Sequence, residues 1–61
     1  MTPVEAKEII LELTGQMNGA TSSEIYASSP KKDHDTLFHE LKLFIISGRI
    51  TQKGIRWYKN G

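Results

Sequence analysis

Few residues of this 61-residue chain could carry out chemistry, and most of them lie in its second half. Asp35 and His39 are four residues apart, so their side chains would meet on one face of a helix. Such a pair could bind a metal ion or tune a contact by pH, but a surface ion pair worth a few tenths of a kcal/mol explains it more simply. His34 would point about 140° away from His39 on the same helix, so the two imidazoles cannot bind the same metal ion. No metal site is predicted.

The sequence contains none of the common catalytic arrangements. It has no cysteine, which excludes a thiolate nucleophile, a thiolate metal site and a disulfide framework. It also lacks a Ser-His-Asp pattern and a glycine-rich phosphate loop. A domain of this size leaves little room for a substrate pocket. We therefore expect no enzymatic activity, no cofactor and no small-molecule substrate.

Positive charge is concentrated at the end of the chain. The net charge is only +1 and the calculated isoelectric point is about 8.1, below the value above roughly 9 that favours nucleic-acid binding. However, residues 1–24 hold four glutamates and one lysine, whereas residues 49–61 hold four cations and no acid. This polarity indicates that the C-terminal segment contacts an anionic partner.

A helix is predicted from Asp33 to Gly48, and it would position most of the polar candidates. We expect Asp33 to cap its start and Gly48 to end it in the left-handed conformation. At about 100° per residue, Asp35, His39 and Lys42 fall on the exposed side. The apolar residues that share the opposite side are Leu37, Phe38, Leu41, Phe44 and Ile45.

Two capping boxes predict two earlier helices. Thr2-Pro3-Val4-Glu5 begins helix 1, which should continue to Asn18-Gly19 and bury Ala6, Ile9, Ile10, Leu13 and Met17. Thr21-Ser22-Ser23-Glu24 begins a short helix 2 over 22–28 that buries Ile25. Ala20-Thr21 is long enough for a single bridge to a later strand. Pro30 either marks a break before helix 3 or, with Ser29 as the cap, opens that helix early.

In the segment after Gly48, apolar and polar residues alternate as they do in the strands of a β-hairpin. A two-residue turn at Lys53-Gly54 would pair Ile50 with Trp57 and Thr51 with Arg56. Ile50, Ile55 and Trp57 would then face the core together, because side chains alternate across a strand. The residues expected on the outer face are Arg49, Thr51, Arg56 and Tyr58.

This order of elements resembles a winged helix-turn-helix domain. The string from Asn18 to Ile25 looks like the passage from a strand into helix 2, and Ile46-Ser47-Gly48-Arg49-Ile50 looks like the exit from helix 3. In size, the chain is most similar to very small bacterial, plasmid and phage regulators. Z-form nucleic-acid-binding domains are also similar, through Pro30-Lys31-Lys32 and Trp57. The resemblance implies a mainly α fold with a small β-hairpin (α+β), three helices plus a two-stranded wing, in one domain over 1–61.

The chain departs from these domains in four ways. Ser29 stands where helix 2 usually carries a second aliphatic anchor, and the wing is cut to Lys53-Gly54. Helix 3 contains no arginine, and the Asn-and-Tyr pair of the Z-form readers is missing. These differences weaken the functional inference more than the inference about the fold.

The resemblance implies a cofactor-free transcriptional regulator of bacterial or phage type that binds double-stranded DNA. Helix 3 (33–47) would read the major groove and the hairpin (49–59) would contact the backbone. One alternative is a protein-interaction adaptor that uses acidic helix 1 or the patch of Leu43 and Ile46. Another is a Z-form or RNA-binding domain. The candidate nucleic-acid contacts are Lys31, Lys32, His34, Thr36, His39, Lys42, Arg49, Lys53, Arg56 and Tyr58.

Four apolar residues fall outside the predicted core stripes: Val4 and Leu11 on helix 1, and Leu43 and Ile46 on helix 3. They are either buried on a wide arc or form an interface, and on helix 1 they suggest a weak homodimer.

The longest apolar runs are three or four residues, so no membrane span is predicted. The first residues do not resemble a signal peptide, and we therefore expect a cytoplasmic protein.

Overall fold

In the computed structural model, which describes residues 1–60, three α-helices pack with a three-stranded antiparallel sheet of order β1-β3-β2. The predicted α+β fold class and winged-helix-like layout are confirmed, with β1 added to the two-stranded wing. The elements in chain order are α1 (Pro3–Thr14), β1 (Ala20–Thr21), α2 (Ser22–Ala27), a 3-10 turn (Lys31–Asp33), α3 (His34–Ile46), β2 (Ile50–Lys53) and β3 (Arg56–Lys59).

Both predicted capping boxes are present. The Glu5 backbone N–H donates to the Thr2 hydroxyl at 3.2 Å, and the Glu5 carboxylate accepts from the Thr2 backbone N–H at 3.0 Å. At the start of α2, the same two hydrogen bonds between Thr21 and Glu24 measure 3.1 and 2.9 Å. Hydrogen bonds from the threonines favour the charged carboxylates and lower the pKa of Glu5 and of Glu24.

Helix α1 ends earlier than predicted. Its last residue is Thr14, and the N–H of the cap residue Gly15 donates to the Leu11 carbonyl at 3.0 Å. Met17 lies beyond the helix with 95% of its surface exposed, so its predicted burial is wrong. The loop then reaches Gly19, which adopts a left-handed φ of +63°. A Cβ there would lie 2.4 Å from the Trp57 carbonyl oxygen, so the loop can approach β3 this closely only with glycine.

The start of α3 follows the first predicted alternative, in which Pro30 lies in a break before the helix. Pro30 is extended, with φ −59° and ψ 153°, and the 3-10 turn separates it from the helix. Asp33 occupies the predicted N-cap position of α3, but its side chain makes no capping hydrogen bond. Its carboxylate instead accepts from the Met1 amino group at 3.1 Å.

The end of α3 is as predicted. Gly48 is left-handed, with φ +78°, and its N–H donates to the Ile45 carbonyl at 3.1 Å. The Arg49 N–H donates to the Phe44 carbonyl at 3.0 Å, which completes a Schellman motif and turns the chain into β2.

The core draws on every helix and on the inner face of the sheet. On α3 the buried arc is shifted from the predicted one, because Phe38 and Ile45 are 57% and 39% exposed. Glu40 occupies the other flank of that arc, facing α1, and is only 3% exposed. The buried apolar residues are Ala6, Ile10, Ala20, Ile25, Leu37, Leu41, Phe44 and Ile50.

The hairpin register differs from the prediction. Lys53 pairs with Arg56 and Gln52 with Trp57, so the turn residues are Gly54 and Ile55. Gly54 has a φ of +65° and stands at the first central position, which is the requirement of a type II′ turn. Ile55 therefore lies at the tip with 75% of its surface exposed, and its predicted burial is wrong.

The two faces of the sheet nevertheless contain most of the predicted residues. Ile50 is buried on the inner face, where Trp57 packs half-buried against the core. β1 pairs with β3 at two positions, Ala20 with Trp57 and Thr21 with Arg56, rather than through the single predicted bridge. The outer face carries Thr51, Lys53, Arg56 and Tyr58.

Candidate functional site

The wing tip is flanked by two cations. Lys53 and Arg56 are direct partners across the hairpin, and both face outward. The Lys53 amino group lies 5.8 Å from the centre of the Tyr58 ring on the same face. The hairpin sequence from Arg49 to Lys59 contains no acid. This outer face can therefore contact a phosphate backbone without repulsion from a carboxylate of its own strands.

Arg56 also has a structural role. Its Nη1 donates to the Asn18 carbonyl oxygen at 3.3 Å and lies 3.5 Å from a Glu24 carboxylate oxygen. These contacts tie β3 to the loop before β1 and to the first turn of α2. Because Arg56 is already partly neutralised, Lys53 is the more available cation of the wing tip.

Arg49 does not join the other hairpin cations. The Asn60 N–H donates to the Arg49 carbonyl at 2.8 Å, which extends the pairing of β2 and β3 by one step. The Arg49 residue lies at the opposite end of β2 from Lys53 and lines a hollow between α1 and the end of α3, together with Leu11 and Leu43. Arg49 therefore lies away from the wing tip, and its predicted grouping with Arg56 on one binding face stays a prediction.

The exposed side of α3 presents His39 and Lys42. The predicted Asp35–His39 ion pair is wrong, since residues 1–60 show no such contact within 4.0 Å. The His39 Nε2 instead lies 3.9 Å from one Glu40 carboxylate oxygen, and the Lys7 amino group lies 3.7 Å from the other. Sequence reasoning missed Glu40, although its position three residues after Leu37 places it on the core stripe.

Two predicted contacts are held at the α2–α3 junction. The His34 Nε2 lies 3.1 Å from the Ser29 carbonyl oxygen, and its ring centre lies 5.1 Å from that of Tyr26. Thr36 is half-buried. Burial raises the pKa of the Tyr26 hydroxyl. His34 therefore fixes the junction, whereas Lys31 and Lys32 remain exposed on the 3-10 turn before α3.

An apolar groove lies between α2, α3 and the inner face of the sheet. Phe38 and Ile45 line it from α3, Trp57 from β3 and Tyr26 from α2, with Lys42 among the residues around it. The sheet thus separates Lys42, on its inner side, from the outward Lys53. The ten predicted contacts lie on the 3-10 turn, on α3 and along the hairpin, and the continuous positive face stays a prediction. Sequence reasoning missed this groove because it placed Phe38 and Ile45 in the core.

Comparison of the chain with protein-family models, with curated proteins and with solved structures found no match. Within residues 1–60, no three side chains of the types that bind metals lie together. No helix in that part of the chain has the length and apolar character needed to cross a membrane.

Proposed function

We propose that this protein is a small winged-helix transcriptional regulator that binds double-stranded DNA. The observation that carries the proposal is the wing tip, where Lys53 and Arg56 face outward beside Tyr58 on a hairpin that contains no acid of its own. The winged-helix-like layout supports it, because such a fold brings α3 and the wing to one duplex.

In this proposal, the cations at the start of α3 and at the wing tip contact the DNA phosphates. Lys31 and Lys32 lie at the start of α3, where the positive end of the helix dipole also attracts anions. Lys53 and Arg56 contact the backbone from the wing. His39 and Lys42 are the polar side chains of α3 that reach base edges, so base recognition rests on few contacts.

The experiment that tests the proposal is a backbone-amide NMR titration with generic duplex DNA at low salt. We expect shift changes in residues 31–42 and 53–58, with smaller changes in α1. A titration in which no amide shifts, or only those around the apolar groove, would contradict the proposal. Parallel titrations with Z-form DNA and with double-stranded RNA test the alternative of a Z-form or RNA-binding domain. Such a domain would bind one of those helices in preference to ordinary duplex DNA.

A protein-interaction module is a second candidate function, favoured by the apolar groove beside α3. Phe38 is 57% exposed there and lies with Ile45 and Trp57 in a concave surface. Contiguous exposed apolar surface of this kind marks binding sites for proteins. Replacement of Phe38 with Ser distinguishes the two functions: an adaptor loses its partner, whereas phosphate contacts to DNA persist.

A further inference from the structure

The outer surface of α1 and α3 carries a second apolar region, which we call the α1–α3 seam. It consists of Val4 and Leu11 on α1 and of Leu43 and Ile46 on α3. Val4, Leu43 and Ile46 are 62%, 46% and 72% exposed, and Leu11 is half-buried. Leu11, Leu43 and Ile46 line one hollow, so the seam runs continuously from one helix to the other.

Acidic residues border the seam on its α1 side. Lys7 reaches Glu40 of α3 at 3.7 Å, which shows that the Lys7 flank of α1 is the one that faces α3. On the helical wheel, Val4 and Leu11 follow Lys7, and Glu8 and Glu12 come next, away from α3. Both glutamates are exposed.

A cation borders the seam on its α3 side. Arg49 is exposed and lines the hollow with Leu11 and Leu43, just after the Schellman motif that ends α3. No carboxylate lies within 4.0 Å of its guanidinium in the part of the chain that the structure describes. The seam therefore has glutamates along its α1 flank and Arg49 at the end of its α3 flank, with Lys7 beside the hollow between them.

We propose that the α1–α3 seam binds a second copy of this chain through a two-fold symmetric contact. An isologous interface must be complementary to itself. Rotation about a two-fold axis through the seam brings Glu8 and Glu12 of each copy towards Arg49 of the other and covers the apolar residues of both. Double-stranded DNA or an anionic lipid surface fits less well, because the acidic edge would repel it.

This contact leaves the wing tip free, because Lys53 lies at the opposite end of β2 from Arg49. On α3 the seam adjoins the apolar groove, because Ile46 lines both, so dimerisation and binding through Lys42 would use neighbouring surfaces of the helix. The inference does not depend on DNA binding and is tested without DNA.

The test is sedimentation equilibrium of the whole chain at low ionic strength, with circular dichroism as the check on folding. We expect a reversible monomer–dimer equilibrium. Val4→Glu combined with Leu43→Glu should weaken association by roughly tenfold or more, and both positions are exposed enough to keep the fold. Phe38→Ser, outside the seam, should leave association unchanged.

A charge-exchange pair makes the test specific. Glu8→Lys combined with Glu12→Lys in one chain, and Arg49→Glu in another, should each abolish self-association. An equimolar mixture of the two variants should associate again, because each copy then supplies the charge that the other lacks. A chain that stays monomeric at millimolar concentration, or variants whose mixture does not associate, would overturn the proposal.

Discussion

Gly19 and Gly54 have nearly the same left-handed backbone in very different surroundings. Their φ angles are +63° and +65°. At Gly19 a Cβ would lie 2.4 Å from the Trp57 carbonyl oxygen and 3.0 Å from the Tyr58 ring, whereas at Gly54 nothing lies within 4 Å. The two positions therefore separate the cost of backbone strain from the cost of close contact.

We predict that Gly54→Ala lowers the free energy of unfolding by about 1–2 kcal/mol, from the left-handed conformation alone. Gly19→Ala should cost clearly more, because the loop before β1 must move away from β3. Urea denaturation followed by circular dichroism measures both losses. Equal losses would show that the loop does not approach β3 as described.

At the scale of elements, the capping boxes make helix stability depend on pH. The pKa values of Glu5 and Glu24 are lowered from 4.5 by hydrogen bonds from Thr2 and Thr21. A lowered carboxyl pKa stabilises the folded state above the pKa of the unfolded chain. That contribution disappears as the pH falls through the lower, folded-state value.

We therefore predict that unfolding by urea becomes easier as the pH is lowered from 5 towards the folded-state pKa values. Glu24→Gln should reduce this dependence, because a glutamine can still accept the Thr21 hydrogen bond but does not titrate. Asp35→Asn is the control, since this exposed carboxyl group belongs to neither box. A pH dependence unaffected by Glu24→Gln would contradict the assignment.

The hairpin register predicts opposite outcomes for two isoleucines. Ile50 is 3% exposed, so Ile50→Ala should cost about 2–5 kcal/mol as in other cores. Ile55 is 75% exposed at the turn, so Ile55→Ala should change the free energy of unfolding by no more than about 0.5 kcal/mol. Thermal and urea unfolding of the two variants decide the register. A larger loss at Ile55 would restore the register predicted from sequence.

Signals contained within a few residues predicted the elements well. The two capping boxes and Gly48 fixed the starts of α1 and α2 and the end of α3, because their hydrogen bonds are local. The turn was misplaced because Lys53-Gly54 and Gly54-Ile55 both fit an alternating pattern. The type II′ preference for glycine at the first central position could have decided between them.

At the scale of the whole molecule, the candidate site was predicted less well than the fold. Periodicity located the exposed side of α3 but not which flank its neighbours cover, so Phe38 was assigned to the core and the burial of Glu40 was missed. Likewise, charge along the chain indicated a basic end without showing that Arg49 and Lys53 lie apart. Such facts depend on tertiary packing, which no short window of sequence contains.

DNA binding through the wing is the central claim, and the two lysines on opposite faces of the hairpin allow a matched test. Lys53 faces outward at the tip, whereas Lys59 pairs with Ile50 and lies on the inner-face register. Lys53→Gln and Lys59→Gln remove the same charge, so they alter the net charge of the protein equally.

The measurement is the salt dependence of binding to a generic DNA duplex by the unmodified chain and by these two variants. Each lost phosphate contact should reduce the slope of log K against log salt by about 0.9. We expect this reduction, with weaker binding, for Lys53→Gln and an unchanged slope for Lys59→Gln. Binding that is absent at low salt, or equal slopes for all three proteins, would contradict the proposed function.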